Sequence, residues 1–106
     1  MQRITREEVF QRIAQAPGGV NLSGLDLSGL HLIGVDFRKA DLRGANLSGA
    51  DLSLAHLQEA DLRGANLSGA RVIFTKLLNA NLEGADLTGV ELEKAETNNT
   101  QGICNR

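Results

Sequence analysis

The chain has 106 residues, thirteen acidic and eleven basic side chains and a formal net charge of −2, so it carries neither a basic face for nucleic acid nor an acidic tail. Three Phe and no Trp or Tyr leave out the stacking platforms on which single-strand and RNA readers rely. A single cysteine, Cys104, excludes an intrachain disulfide and a cysteine metal cluster, and its expected state is a free thiol in a polar tail.

The N-terminal run M-Q-R-I-T-R-E-E-V-F places charges where a signal peptide needs an apolar segment, and no long apolar stretch comes after it, so no membrane partner and a cytoplasmic location are expected. Thr5 and Glu8 form a capping box, and Val9, Phe10 and Ile13 share one face of the helix it would start. Pro17-Gly18-Gly19 ends that helix. Residues 1–19 are therefore expected to be a capping helix and linker, with the apolar face lying over the first structural unit after Gly19.

From Val20 the chain divides into fifteen consecutive five-residue words without an insertion: VNLSG, LDLSG, LHLIG, VDFRK, ADLRG, ANLSG, ADLSL, AHLQE, ADLRG, ANLSG, ARVIF, TKLLN, ANLEG, ADLTG, VELEK. The third place is Leu in thirteen of them, with Phe37 and Val72 the exceptions, and the first place is a small or apolar residue except at Thr75. A period of five suits neither a 3.6-residue helix nor a continuous strand of period two. It suits a chain that turns once per word, burying a large third-place and a small first-place side chain that only a stacked neighbour can cover.

The segment ADLRGANLSGA stands at residues 40–50 and again at 60–70, so four words make one coil of twenty residues. Words on the first two sides end in Gly, while the fourth side ends in Lys39, Glu59 or Asn79, and a different turn type is expected there. The first coil carries Val20, Leu25, Leu30 and Val35 at its small places, extra bulk at the end where the helix would lie.

The tandem A-(D/N)-L-x-x pattern over residues 20–94 resembles the pentapeptide-repeat family. That resemblance implies an all-β solenoid, a right-handed quadrilateral β-helix, here of about four coils. It also implies an interaction role for the outer surface: many members have no established activity, and some resemble duplex DNA and protect or inhibit type II topoisomerases such as DNA gyrase.

After Lys94 the chain reads A-E-T-N-N-T-Q-G-I-C-N-R and loses the central Leu, so residues 95–106 are read as a polar tail outside the repeat, of a composition that permits disorder. Two arrangements are open at this end. The tail drapes over the last coil, pinned by Ile103, or two molecules meet end to end, as in some members of the family.

Second, fourth and fifth places face outward, with equivalent residues about 4.8 Å apart in successive coils. Ile33, Leu54, Ile73, Phe74 and Leu78 thereby gather on the third and fourth sides, and clustered exposed apolar residues mark a protein-binding or homodimerising patch. The words ARVIF and TKLLN, which supply three of the five, also depart from the repeat with Arg71, Val72, Thr75 and Lys76. Glu83, Asp86, Glu91, Glu93 and Glu96 form a candidate acidic rim at the C-terminal end.

The leading expectation is a non-catalytic scaffold with a protein partner and no cofactor, metal or direct nucleic-acid contact. Asp26, Asp36, Asp41, Asp51, Asp61 and Asp86 share the second place with Asn21, Asn46, Asn66 and Asn81, an exchange that a general acid or metal ligand does not permit. Local hydrogen bonding near the turn explains both. His31 and His56 fall on different sides with no nucleophile in register. Mimicry of duplex DNA is the alternative, weakened by charge: a rod of roughly 18 Å would match on the order of ten phosphates, whereas the chain offers −2.

Overall fold

The computed structural model describes residues 1–103; Cys104, with its expected free thiol, lies outside the described residues. The chain winds as a stack of twenty-residue coils in which each second-place residue from Asn21 to Asn81, Arg71 excepted, forms a parallel bridge with the residue twenty positions on. Four columns of bridges result, one for each five-residue side. The first runs through Asn21, Asp41, Asp61, Asn81 and Gln101; the second through Asp26, Asn46, Asn66 and Asp86; the third through His31, Asp51 and Arg71; the fourth through Asp36, His56, Lys76 and Glu96.

Inside the columns, third-place residues from Leu22 to Leu82 and the first-place Ala residues from Ala40 to Ala80 form one buried cluster. Phe37 and Val72, the exceptions to Leu, are buried with the rest. Thr75 is also buried, and its hydroxyl donates at 2.6 Å to the Leu52 carbonyl, so a polar residue at a small inward place is satisfied.

Every corner closes by the same bond, from a first-place N–H to the carbonyl of the preceding third place, as in Ala45 to Leu42 at 3.1 Å and Ala60 to Leu57 at 3.1 Å. This β-turn places the fifth residue in the left-handed region at every corner except that of Lys94. The distinct turn expected on the fourth side is not found: Lys39, Glu59 and Asn79 have φ of 60°, 62° and 61°, close to the 65° to 72° of most repeat glycines. The geometry of the corner is common to all sides, and Lys, Glu and Asn adopt it at the cost that a Cβ carries there.

At the N-terminal end, α1 (Arg6–Gln15) begins with the expected capping box, Thr5 accepting from the Glu8 N–H and Glu8 accepting from the Thr5 N–H. Val9 is fully buried in the cluster and Ile13 packs against it. Phe10 differs from expectation, being exposed with the Arg6 guanidinium 4.6 Å from its ring centre. Its place is taken by Ile4, buried because the segment before α1 adds to the second side: Asp26 N–H bonds the Gln2 carbonyl at 2.7 Å and Ile4 N–H the Asp26 carbonyl at 3.2 Å. Gly19, at φ 138°, passes so close to the Lys39 carbonyl that a Cβ would stand 2.5 Å from that oxygen.

At the other end the ladder does not stop at Lys94. Glu96 bridges Lys76, Gln101 bridges Asn81, and the Thr100 hydroxyl donates to the Leu77 carbonyl at 2.6 Å. The tail residues to Gln101 thus keep the coil's register without the central Leu, because the backbone ladder and Thr hydroxyls replace part of what Leu supplies. Ile103 then packs against the cluster, while Ala85, Leu87, Val90 and Leu92 remain only partly buried.

Leu62 is fully buried between coils whose ladders prevent collapse. Leu62→Ala should lower stability by about 2–5 kcal/mol, seen as a lower thermal midpoint by circular dichroism.

Candidate interaction surface on the third and fourth sides

The second place decides what the outer wall looks like. Where it is Asp or Asn, its carbonyl or carboxylate oxygen accepts the N–H of the fourth-place residue, as from Ser48 to Asn46 at 3.0 Å, Ser53 to Asp51 at 3.1 Å and Thr88 to Asp86 at 3.0 Å. These side chains therefore hold turns and are not a carboxylate set for chemistry. Every second place of the first and second sides has this bond or an equivalent one within residues 21–88.

On the third and fourth sides the pattern lapses at His31, His56, Arg71, Lys76, Glu91 and Glu96. The fourth places in those words include Ile33, Ile73 and Leu78, so the apolar outward residues stand where the turn has lost its side-chain acceptor. Fifth places on the third side add Leu54 and Phe74, above Gly34 in the same corner column. All five are exposed, Ile33 51%, Leu54 52%, Ile73 38%, Phe74 53% and Leu78 43%. Leu54 and Ile73 are joined directly, Leu54 N–H to the Ile73 carbonyl at 2.9 Å, which brings Leu54, Ile73 and Phe74 into one group.

Leu54 and Phe74 have φ of 63° and 57°. Left-handed backbone is worth avoiding for a side chain without local polar compensation, by roughly 1–2 kcal/mol, and these two are also half in water. Conformational strain kept by an exposed apolar side chain is a functional signal.

Charge separates the sides as well. On the first side Arg43 and Arg63 hold Asp41 and Asp61 in two-pronged ion pairs at 2.6–2.9 Å, neutralising that column. Arg38 does the same for Asp36 on the fourth side, at 2.8 and 2.9 Å. On the third side, by contrast, Asp51 and Arg71 are neighbours in one column yet form no ion pair among the described residues.

The acidic rim is not one feature. Glu83 lies on the first side and Asp86 on the second, where Asp86 accepts from Thr88 N–H and hydroxyl. Only Glu91, Glu93 and Glu96 adjoin the apolar group. Beside them the ladder is interrupted: the Val72 N–H to Glu91 carbonyl and Glu91 N–H to Ala70 carbonyl bonds that the register calls for are absent among the described residues, and Phe74 N–H reaches Lys94 at 3.1 Å. A cleft of about 300 Å³ opens there, lined by Gly69, Ala70, Arg71, Val72, Ile73, Gly89 and Glu91. The departures in ARVIF mark this gap. A second cleft, about 550 Å³, lies between the end of α1 and the fourth side, with Ile13, Pro17, Val20, Lys39 and Gln58 in its walls. No sequence motif signals it, because the placing of α1 creates it.

A parallel β-solenoid with a five-residue word per side is a pentapeptide-repeat architecture. A family model for pentapeptide repeats matches residues 18–53 and 65–96 in eight copies, and the chain belongs to that family. Among solved structures it is 37% identical to HetL, a pentapeptide repeat protein involved in heterocyst differentiation regulation from the cyanobacterium Nostoc, covering 80% of this chain and 43% of HetL, with a TM-score of 0.47. A pentapeptide repeat protein of the Arabidopsis thaliana thylakoid lumen is 43% identical over 77% of this chain and 67% of its own, with a TM-score of 0.34. QnrB1, a plasmid-mediated fluoroquinolone resistance protein, superposes with a TM-score of 0.70 over 93% of this chain and 53% of its own at 20% identity, a likeness of fold alone. The chain thus spans about half the length of HetL and QnrB1. No curated protein matches it.

The wall leads to two expected outcomes. The Arg38 guanidinium holds Asp36 down to about 2, hydrogen bonds from Arg43 and Arg63 lower Asp41 and Asp61, and hydrogen bonds from Ser28 and Thr88 lower Asp26 and Asp86. A carboxyl lowered in the fold is protonated first in the unfolded chain, so its stabilisation is complete above the ordinary value of 3.8 and is lost as pH falls through the folded value. Thermal midpoints should therefore be insensitive to these groups between pH 7 and pH 5 and decline from about pH 4 towards pH 2. Phe74→Gly, which removes the left-handed cost, should melt no lower than wild type; a clear drop would mean that Phe74 packs for stability.

Proposed function

We propose that this protein is a non-catalytic scaffold, a right-handed quadrilateral β-helix of about four coils closed at one end by α1, which presents its third and fourth sides to a protein partner. The observation that carries this reading is the pair Leu54 and Phe74, kept in left-handed backbone and half exposed where Gly34 serves the same corner without strain. Apolar side chains grouped on a rigid wall suit the buried centre of an interface, with Lys76, Glu91, Glu93 and Glu96 as its polar rim. The wall is preorganised by the ladder beneath it, so little ordering accompanies binding.

Mimicry of duplex DNA is the weaker reading. Its required column of negative charge is interrupted by Arg43 and Arg63, each already paired with its own aspartate. The likeness to QnrB1 is one of fold and adds nothing to it.

The test is a comparative pull-down from lysate of the source organism with tagged wild type and Phe74→Glu, matched for melting behaviour. A partner retained by the wild type and lost by Phe74→Glu is the expected result; identical recoveries would rule the surface out.

A further inference from the structure

The third side is self-complementary when its coil order is reversed. Its second-place column is bridged through His31, Asp51 and Arg71, with Glu91 following in sequence register beyond the interruption of the ladder, and its corner column reads Gly34, Leu54, Phe74, Lys94. A two-fold axis lying in the plane of this wall, perpendicular to the stacking direction, reverses the order of coils and sets each column opposite itself. Asp51 then meets the partner's Arg71 twice over, Leu54 meets the partner's Phe74 twice over, and His31 lies opposite the partner's Glu91.

We infer that the partner accommodated by this surface is a second copy of this chain, docked antiparallel through the third side with Asp51 and Leu54 of each copy against Arg71 and Phe74 of the other. The pairing rests on the reading of the third and fourth sides as an interaction surface and names its occupant. Two observations converge on it. Asp51 and Arg71, neighbours in one column, form no ion pair among the described residues, whereas on the first side Asp41 with Arg43 and Asp61 with Arg63 pair within their own words. The two strained apolar residues stand in the two coils that straddle the axis, so each covers the other's exposed face.

The alternative of parallel copies is opposed by the same columns. An axis along the stack keeps coil order and exchanges the edges of the wall, which would set Asp51 against Leu54 and Arg71 against Phe74. Burying each charge on an apolar side chain disfavours that register strongly. The arrangement of charge therefore selects direction, while Leu54 and Phe74 supply the area.

Sedimentation velocity of the full chain from low micromolar to millimolar concentration tests the pairing. Each reversal has a precedent one coil away, since Arg stands in the column at Arg71 and Asp at Asp51, and circular dichroism verifies that the variants fold. Wild type should dimerise as concentration rises, Asp51→Arg and Arg71→Asp should each weaken the dimer by about tenfold or more, and an equimolar mixture of the two variants should recover it. A chain carrying both reversals should recover it alone. A wild type that stays monomeric, a dimer indifferent to either reversal, or a mixture that does not recover would overturn the pairing. None of these results bears on a different partner at the same surface, which the Phe74→Glu recovery decides separately.

Discussion

Each corner of the coil depends on one hydrogen bond, from a first-place N–H to the third-place carbonyl before it, and at every corner except that of Lys94 this bond goes with a requirement for positive φ at the fifth residue. Glycine meets the requirement on most corners, but Lys39, Leu54, Glu59, Phe74 and Asn79 meet it as well. The corner is thus obligatory and its occupant is not. With the corners set, second-place residues fall into register twenty positions apart, and each coil lends its N–H and C=O groups to its neighbours. Side-chain chemistry adds to this scaffold without determining its path, which leaves the outer wall free to vary.

Much of the fold is legible in the sequence because the period is carried by size alone. A large residue at every third place and a small one at every first can be buried only by stacking, and Thr5 with Glu8 announces α1 through a local bond. The misread parts depend on groups without size. Lys39, Glu59 and Asn79 suggest another turn because side-chain preference is visible in a sequence while the shared backbone bond is not. The tail fails as a repeat by the rule of central Leu, yet Thr97 and Gly102 occupy that place while Glu96 and Gln101 hold the ladder. Ile4 is hidden for a related reason: its burial comes from the segment before α1 pairing with Asp26.

The apolar surface is legible for a different reason. Once the period is known, outward places can be assigned by counting, and Ile33, Leu54, Ile73, Phe74 and Leu78 stand out by type. What counting cannot supply is strain and pairing. That Leu54 and Phe74 sit at positive φ, that Asp51 and Arg71 form no ion pair among the described residues, and that the ladder parts between Arg71 and Glu91 are facts of three-dimensional arrangement. The acidic rim shows the opposite limit, since five carboxylates close in sequence are spread around the coil and Asp86 serves its own turn.

The two pairs of sides embody different uses of one word. On the first and second, Asp or Asn at the second place ties the turn, and arginines on the first side lie over their own aspartates, so charge is satisfied inside the chain. Such a wall has little left to offer a partner, because any contact must first displace bonds already made. On the third and fourth, His31, Arg71 and Lys76 give up the turn bond, and the fourth places Ile33, Ile73 and Leu78 become apolar in step with them. Each lapse removes local stabilisation from a corner that the backbone can close without it. The ladder's redundancy is what makes those lapses tolerable: backbone bonds to the neighbouring coil hold these two sides where the side-chain acceptor is gone.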